Sequence, residues 1–477
     1  MNAKSFLVGF AFSISYLVLS SCAPTPPPQE IQLEAVTAVP TLDPSNPGVL
    51  CETVEIAWEQ DWPMVIRALE ALVNLQTSCG EGVALQQQLY TAYYQYGELL
   101  EQSNRRDAAI EAYETALLYN PSGAEAIDGL RRFDVYTPAP LTPCDPAEVG
   151  DALSKIPDYT PTSGSFIRVD GSKFMVDEQV FEVHGVNYYP RDTPWRRFLT
   201  ETDVTAVEPE LELMRAAGIN TLRIFLWHEP LFTCPGNGAV PLAETFERLD
   251  AIIQAAATRS FRLIVTLNDL PDLSVYPLYD SPRFTNEQMI YIVQRYREEP
   301  AILAWDLRNA GDLDYLNGPF EKTRVLEWLT RTAILVHRAD PNHLITASWQ
   351  QDAEAPIPTV DFVSFQHFED VELLRQRIAV LNGLTDKPIL LSAVGYSTYE
   401  MEEIIQRNTL QQALEAGENN GLAGWVVWTA FDYPLTATCS EPNCTSTDSA
   451  DHHYGLWNTS YFPKLAVDVI EMMTGAP

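Results

Sequence analysis

From residue 165 onward the sequence predicts an α/β fold, a (β/α)8 TIM barrel, and ahead of it a small all-α domain. Short apolar segments alternate with longer amphipathic ones, which is typical of parallel strands joined by crossover helices. Eight such strands in about 310 residues match the size of this barrel. The predicted strands are residues 181–186, 221–226, 263–267, 302–307, 344–348, 362–365, 389–393 and 423–428.

Helical patterns lie between most of these strands, and a small hairpin precedes them. The helical segments with the clearest 3.6-residue periodicity are residues 211–217, 249–257, 288–297 and 325–336. Residues 166–171 and 173–176 have the alternation of a hairpin, which we expect to close the bottom of the barrel.

The N-terminus predicts a targeting segment. Lys4 precedes an apolar run over residues 6–19, which is short for a membrane span. The following Leu19-Ser20-Ser21-Cys22 resembles a bacterial lipobox, which implies cleavage before Cys22 and lipidation of its thiol. We therefore expect a signal peptide over 1–22, a Pro-rich disordered linker over 23–50, and an extracytoplasmic protein anchored to the cell membrane. An ordinary secretory signal with an incidental cysteine is the alternative.

Six further cysteines predict three disulfides in this oxidising compartment. Two of them share one turn-rich loop, and another two flank a helical pair, whereas the third pair is left by elimination. The expected pairs are Cys439–Cys444, Cys51–Cys79 and Cys144–Cys234. No cysteine or histidine spacing suggests a metal site, and no cofactor is implied.

Residues 51–134 are predicted to be helical, and residues 135–164 to be a second linker rich in proline. The spacing of Tyr93, Gly97, Ala109 and Tyr113, followed by Pro121, resembles a tetratricopeptide repeat. One repeat is too short for a peptide-binding solenoid, because each repeat buries its faces against neighbours. A packing or spacer role is therefore favoured over a protein-binding groove.

The chain is acidic, with a formal net charge of −35 at pH 7. Such a surface repels phosphate backbones and anionic lipid heads, so nucleic acid is excluded as a partner. Solubility is the simplest role for this charge.

Residues at the strand ends carry the functional signal, since barrel active sites lie at the C-terminal ends of strands. Several segments there occur together in one order: GVNYYP at 185–190, GINTLRIFLW at 218–227, PAILAWDLRNA at 300–310, KPILLSAVG at 387–395, GLAGWVVW at 421–428 and YGL at 454–456. Together they resemble glycoside hydrolase family 5, the family of cellulases and β-mannanases, over residues 165–477. The resemblance implies a β-linked glucan or mannan polysaccharide as partner.

Two positions depart from the family pattern. The family has Asn-Glu at the end of strand four and Glu-x-Gly at the end of strand seven, and retaining hydrolysis needs both carboxyl groups about 5–5.5 Å apart. Here the corresponding residues are Ala310 and Ala393. An alanine side chain neither donates a proton nor attacks a sugar, so the sequence predicts a glycan-binding protein that is hydrolytically inactive.

The rest of the family's site has counterparts here. The resemblance implies that Arg223 holds the nucleophile carboxylate, that Asn309 contacts a sugar hydroxyl, and that Trp428 forms the floor under the sugar. Either Gln366 or His367 would face the sugar, because the strand-six segment is shifted from the family's usual His-aromatic order. Tyr188 and Trp227 are predicted to add stacking surface. Without a nucleophile carboxylate, Arg223 would need another anion or water.

Two other interpretations remain open from the sequence. A working glycosidase would use a neighbouring acid, for which the candidates are Asp269, Asp306, Asp312 and Asp314. Alternatively, the chain is a structural or protein-binding lipoprotein in which the helical domain makes the contact. Retention of Asn309 and Trp428 favours the glycan-binding interpretation over the purely structural one.

Overall fold

The computed structural model describes residues 45–75, 77–79, 85–103, 105–120, 123–133, 144–233, 239–271, 273, 278–279, 283–438 and 446–476. The chain divides into two compact units, with the boundary between Leu85 and Gln86. Several predictions lie outside the described residues: the signal peptide and Cys22, most of the first linker, residues 135–143 of the second linker, Pro121, Cys234, Cys439 and Cys444. In the described part of the chain, none of the helices combines the length and the apolar character needed to cross a bilayer.

The described part of the first unit contains two helices, α1 (Pro47–Ala57) and α2 (Trp62–Asn74). Each begins at a capping side chain, since Asn46 accepts the Gly48 amide and Asp61 accepts the Met64 amide. The predicted Cys51–Cys79 disulfide is confirmed, and it joins α1 to the residues that follow α2. Cys144 is also disulfide-bonded. Its predicted pairing with Cys234 remains a prediction.

Three further helices precede the barrel: α3 (Leu85–Gln102), α4 (Arg106–Tyr119) and α5 (Ala124–Arg132). Tyr113 is fully buried at their centre. A Cβ atom on Gly97 would lie 2.8 Å from the Tyr113 ring, so only glycine lets α3 approach α4 this closely. Gly97 and Ala109 are therefore the small contact residues that the sequence predicts. The match to a tetratricopeptide repeat remains a prediction.

These three helices belong to the unit that contains the barrel. Buried Glu114 on α4 accepts hydrogen bonds from Arg324, at 2.8 Å, and from Arg331, at 3.4 Å. Both arginines lie on a barrel helix. The helical domain predicted over 51–134 is therefore divided between the two units, and α4 makes charged contacts with the barrel.

After α6 (Pro146–Lys155), a small antiparallel sheet contains β1 (Arg168–Asp170), β2 (Lys173–Val176) and β3 (Gln179–Phe181). The sequence predicted only a two-stranded hairpin and assigned residue 181 to the first barrel strand. Phe181 instead pairs with Phe174 in the small sheet. The Phe174 ring packs edge-to-face on Phe362, 4.9 Å away, at the N-terminal end of the barrel strands. The small sheet therefore closes the bottom of the barrel, as predicted.

Nine parallel strand segments form the barrel, and they correspond to the eight predicted strands. The fifth predicted strand is interrupted and supplies both β8 and β9, which pair with β7 and β10 respectively. The first and last barrel strands also pair, Val426 lying opposite Gly185. The segments are β4 (Val183–Asn187), β5 (Thr221–Phe225), β6 (Arg262–Thr266), β7 (Ile302–Asp306), β8 (Leu344–Thr346), β9 (Ser348–Trp349), β10 (Val363–His367), β11 (Ile389–Val394) and β12 (Gly424–Val427).

Amphipathic helices surround this sheet and complete the predicted (β/α)8 TIM barrel. Their apolar faces are buried; Val207, Leu211 and Met214, for example, line one side of α8. The helices are α7 (Phe198–Glu201), α8 (Val204–Ala216), α9 (His228–Leu231), α10 (Ala243–Thr258), α11 (Arg283–Tyr296), α12 (Leu313–Leu316), α13 (Lys322–Ala339), α14 (Val371–Leu384), α15 (Glu403–Asn419) and α16 (Val467–Thr474).

Candidate active site

Polar side chains from several strands converge at the C-terminal end of the barrel, with Arg223 at the centre. Its guanidinium donates to Asp306 Oδ2 from Nε at 3.0 Å and from Nη2 at 2.6 Å. It also donates to Asn187 Oδ1 at 3.0 Å and to Asn309 Oδ1 at 2.9 Å. Arg223 and Asp306 are 1% and 0% exposed, so this ion pair lies in the barrel interior.

Asp306 is the anion that balances Arg223. The sequence left this arginine in need of a compensating anion or water, and the carboxylate comes from β7, on the same barrel. Asp306 also accepts the Thr266 hydroxyl at 2.9 Å and the Ser348 amide at 3.0 Å. With four donors on two oxygens, Asp306 holds the network together and is not free to act as a catalytic acid.

The two alanines lie beside this network. Ala310 follows Asn309 directly, and its amide donates to the Ser348 carbonyl at 2.8 Å. Its φ of +49° is a left-handed conformation that is uncommon for a residue with a side chain. Ala393 lies opposite Gln366 in the β10–β11 register. Ala310 and Ala393 are 5% and 1% exposed, so methyl groups occupy the positions that the resemblance assigns to the two glutamates.

Asp269 is the acid that contacts the cleft most directly. It accepts the Tyr189 hydroxyl and the Asn309 side-chain amide, both at 2.7 Å. Burial raises the pKa of its carboxyl above the ordinary value, and these hydrogen bonds oppose that shift. Asp269 therefore positions Asn309, the residue expected to meet a sugar hydroxyl.

The other two candidate acids have structural partners. Asp312 accepts backbone amides at positions 350–352. Asp314 makes a bidentate pair with Arg308, at 2.8 and 3.0 Å, and accepts the Tyr279 hydroxyl. Neither carboxylate is available to replace Ala310 or Ala393.

Gln366, and not His367, takes the cleft-facing position at the end of strand six. Its side-chain amide donates to Asn309 Oδ1 at 2.7 Å and to the Ser348 carbonyl at 2.9 Å. His367 faces the other way, with Nε2 2.9 Å from the Asp370 carbonyl. Burial lowers the pKa of His367, which favours the neutral ring.

The two tryptophans that the sequence singles out differ in exposure. Trp428 is partly exposed, and its ring lies edge-on to Phe225 at 6.0 Å. Trp227 is 7% exposed and donates from Nε1 to the Tyr189 hydroxyl at 3.2 Å. Trp227 and Asp269 line one small pocket, whose other lining residues are Leu226, His228, Glu229, Asn268, Pro271, Leu278 and Thr285.

The structure corrects the prediction for Tyr188. This side chain is fully buried, and its hydroxyl donates to Glu210 Oε2 at 2.7 Å, so it offers no stacking surface. Side chains alternate along an extended segment, which places Asn187 and Tyr189 on the cleft side and Tyr188 on the other. Sequence reasoning missed Tyr189, although this alternation could have identified it.

The buried Glu210 predicts a stability that falls with rising pH. Burial raises the pKa of its carboxyl to about 7 from an ordinary 4.5, and hydrogen bonds from Tyr461 and Tyr188 oppose the shift. The pKa of Glu210 is therefore higher in the folded state than in the unfolded state. The contribution of Glu210 to the free energy of unfolding is full below pH 4.5 and is lost as the pH rises to about 7.

We expect this loss to be on the order of 2–3 kcal/mol, and Glu210→Gln to abolish it. Urea unfolding between pH 4.5 and 7.5 measures the effect, with exposed Glu400→Gln as the matched control. Equal pH slopes in wild type and Glu210→Gln would contradict the expectation.

Comparison with known proteins shows which sequences and structures this chain resembles. No family model matches the chain. Mannan endo-1,4-beta-mannosidase F of Aspergillus clavatus is 30% identical over 216 residues, which cover 39% of the chain and 47% of that protein. Mannan endo-1,4-beta-mannosidase A of Hypocrea jecorina is 25% identical over 227 residues, covering 42% of the chain and 50% of that protein. The chain thus spans about half the length of the curated relatives it matches.

Solved structures agree on the fold. GH5_18 from Streptomyces cattleya, in complex with GlcNAc, superposes with a TM-score of 0.50 and 18% identity over 60% of the chain and 78% of that protein. A variant of GH5_18 in complex with Manβ1-4GlcNAc superposes with a TM-score of 0.51 and 17% sequence identity, over 61% of the chain and 79% of that protein. The chain has the barrel fold of these GH5_18 structures, and the Arg223 network lies at the ends of its strands. Within the described residues, no group of three or more metal-binding side chains converges.

Proposed function

We propose that this chain binds β-1,4-linked mannan oligosaccharides in its barrel cleft and does not hydrolyse them. One observation supports the proposal: the polar and aromatic groups that the resemblance assigns to sugar binding are held in order beside two methyl groups. Asn309 and Gln366 are fixed by hydrogen bonds, and Trp428 is partly exposed, whereas Ala310 and Ala393 occupy the positions that the resemblance assigns to the catalytic glutamates. The similarity to mannan endo-1,4-beta-mannosidases supports mannan over glucan.

The chemistry of the cleft argues against double displacement. Loss of positioned acid–base help alone typically removes a factor of about 10²–10⁴ in rate, and loss of the nucleophile removes the covalent route. The nearby acids do not replace them, since Asp306 neutralises Arg223 and Asp314 pairs with Arg308. Asp269 is a single buried carboxyl, and two are needed.

The proposal extends to the location of the protein. The lipobox-like segment ending at Cys22 supports a lipid-anchored protein outside the cytoplasm. Helices α3–α5 then act as a spacer packed on the barrel, which the buried contacts of Glu114 support. In this arrangement the cleft captures polysaccharide near the cell surface.

Calorimetric titration tests the binding proposal. We expect mannohexaose to bind saturably and chromatography to show no shorter product after prolonged incubation. Trp428→Ala should weaken binding by about 10-fold or more, because a stacked ring is lost. Trp58→Ala, in the first unit, is the control for the same change and should bind as wild type. Absence of binding to mannan and glucan oligosaccharides alike, or release of shorter sugars by the wild type, would overturn the proposal.

A further inference from the structure

Three partly exposed aromatic residues, Phe368, Tyr396 and Tyr454, lie beyond strands six to eight and form what we term the aromatic platform. The rings of Phe368 and Tyr454 meet edge-to-face at 6.2 Å. A Cβ atom on Gly395 would lie 3.2 Å from Tyr454 Cδ1 and 2.1 Å from the Trp428 carbonyl oxygen. Because Gly395 has no side chain, the Tyr454 ring and the Trp428 backbone can both lie against the end of strand seven. The aromatic platform therefore lies next to Trp428.

One buried ion pair fixes the backbone on both sides of Tyr454. Lys464 is 3% exposed, and its ammonium lies 2.9 and 3.1 Å from the two Asp432 carboxylate oxygens. The same ammonium donates to the His453 carbonyl at 3.1 Å, and Asp432 Oδ1 accepts the Gly455 amide at 2.8 Å. Tyr454 lies between these two anchored residues, so its main chain has little freedom.

A buried glutamine side chain donates hydrogen bonds to the main chain of both tyrosines of the platform. Gln406 on α15 is 2% exposed, and its side-chain amide donates to the Tyr396 carbonyl at 2.9 Å and the Tyr454 carbonyl at 3.3 Å. Buried polar groups that hold partly exposed rings in place lower the ordering cost of binding.

The Tyr454 hydroxyl makes no hydrogen bond to any residue that the structure describes. The position of its ring is therefore set through the main chain. An aromatic face of this kind packs against the apolar C–H face of a pyranose ring. We propose that the aromatic platform is an additional binding surface for one pyranose of a β-linked glycan, beside the sugar on Trp428, with Lys464 and Gln406 as positioning residues. This inference rests on the proposed function.

Calorimetry with the hexasaccharide mannohexaose and the single sugar mannose tests it. Tyr454→Leu removes the ring and should weaken mannohexaose binding by roughly 2- to 10-fold, the range expected for one lost aromatic contact. Mannose is a single pyranose and does not span both positions, so its binding on Trp428 should be affected little. Tyr454→Phe keeps the ring and should bind both ligands as wild type, and Tyr93→Leu in α3 controls for the type of change. Lys464→Met should reproduce the selective loss for mannohexaose at temperatures where the variant remains folded.

The outcomes separate this inference from the proposed function. If wild type binds neither mannose nor mannohexaose, the proposed function fails first. If wild type binds and Trp428→Ala weakens binding, but Tyr454→Leu keeps the wild-type Kd for mannohexaose, the platform alone is refuted. An equal loss for both ligands in Tyr454→Leu would also refute a separate surface.

Discussion

Restoring glutamate at positions 310 and 393 together is expected to give a protein that hydrolyses mannan oligosaccharides. The double variant places a proton donor and a nucleophile at the two strand ends where the family 5 pattern has them. We expect release of shorter sugars at a rate at least about 10²-fold above that of the wild type, because each group contributes that much or more. Chromatography of mannohexaose digests measures it.

Matched variants distinguish catalysis from a change in shape. Ala310→Gln with Ala393→Gln adds side chains of the same size without acid or nucleophile chemistry, and should remain inactive. Ala310→Glu alone supplies an acid without a nucleophile, so it should gain far less than the double variant. Both positions are buried, so circular dichroism should first show that each variant is folded. A folded double glutamate variant that is inert on mannan and glucan oligosaccharides would contradict the expectation.

Asp306→Ala is expected to destabilise the barrel by about 3–5 kcal/mol, because it leaves the Arg223 guanidinium buried without its counter-ion. The pair is almost fully buried, with Nη2 of Arg223 2.6 Å from Asp306 Oδ2. The alanine also removes the acceptor for Thr266 and for the Ser348 amide. Urea unfolding monitored by circular dichroism measures the loss.

Controls separate the charge from the hydrogen bonds. Asp306→Asn keeps one acceptor oxygen and the side-chain shape, and should cost less than the alanine. Asp151→Ala removes the partner of an exposed ion pair with Lys155, and should change little because exposed pairs are worth little. A loss at Asp306→Ala no greater than that at Asp151→Ala would show that Arg223 has another counter-ion.

The periodic spacing of apolar residues was sufficient to predict the barrel from the sequence. The alternation of apolar strands with amphipathic helices located all eight barrel strands, because a strand buried on both faces is mostly apolar. The strand-end rule then directed attention to Asn309, Ala310 and Ala393. The sequence pattern did not predict the third strand of the small sheet, because Gln179–Phe181 is only three residues long and mostly exposed.

The sequence pattern did not predict contacts between segments that are far apart in the chain. Arg223 and Asp306 are 83 residues apart, and only barrel closure shows that they pair. The choice of Gln366 over His367 depended on which side chain reaches Asn309 across the barrel. Tyr188, by contrast, was within reach of the pattern, because the alternation of side chains along the strand end places it on the face opposite Asn187 and Tyr189.

The sequence by itself determined the barrel, the order of its strands and the absence of glutamate at positions 310 and 393, because these follow from periodicity and residue identity. Only the tertiary structure decided which acid neutralises Arg223, which side chains face the cleft, and that Lys464 and Gln406 fix the backbone of the aromatic platform. Those features depend on how strands far apart in the chain are brought side by side, and a buried charge is stabilised by whatever partner that arrangement supplies.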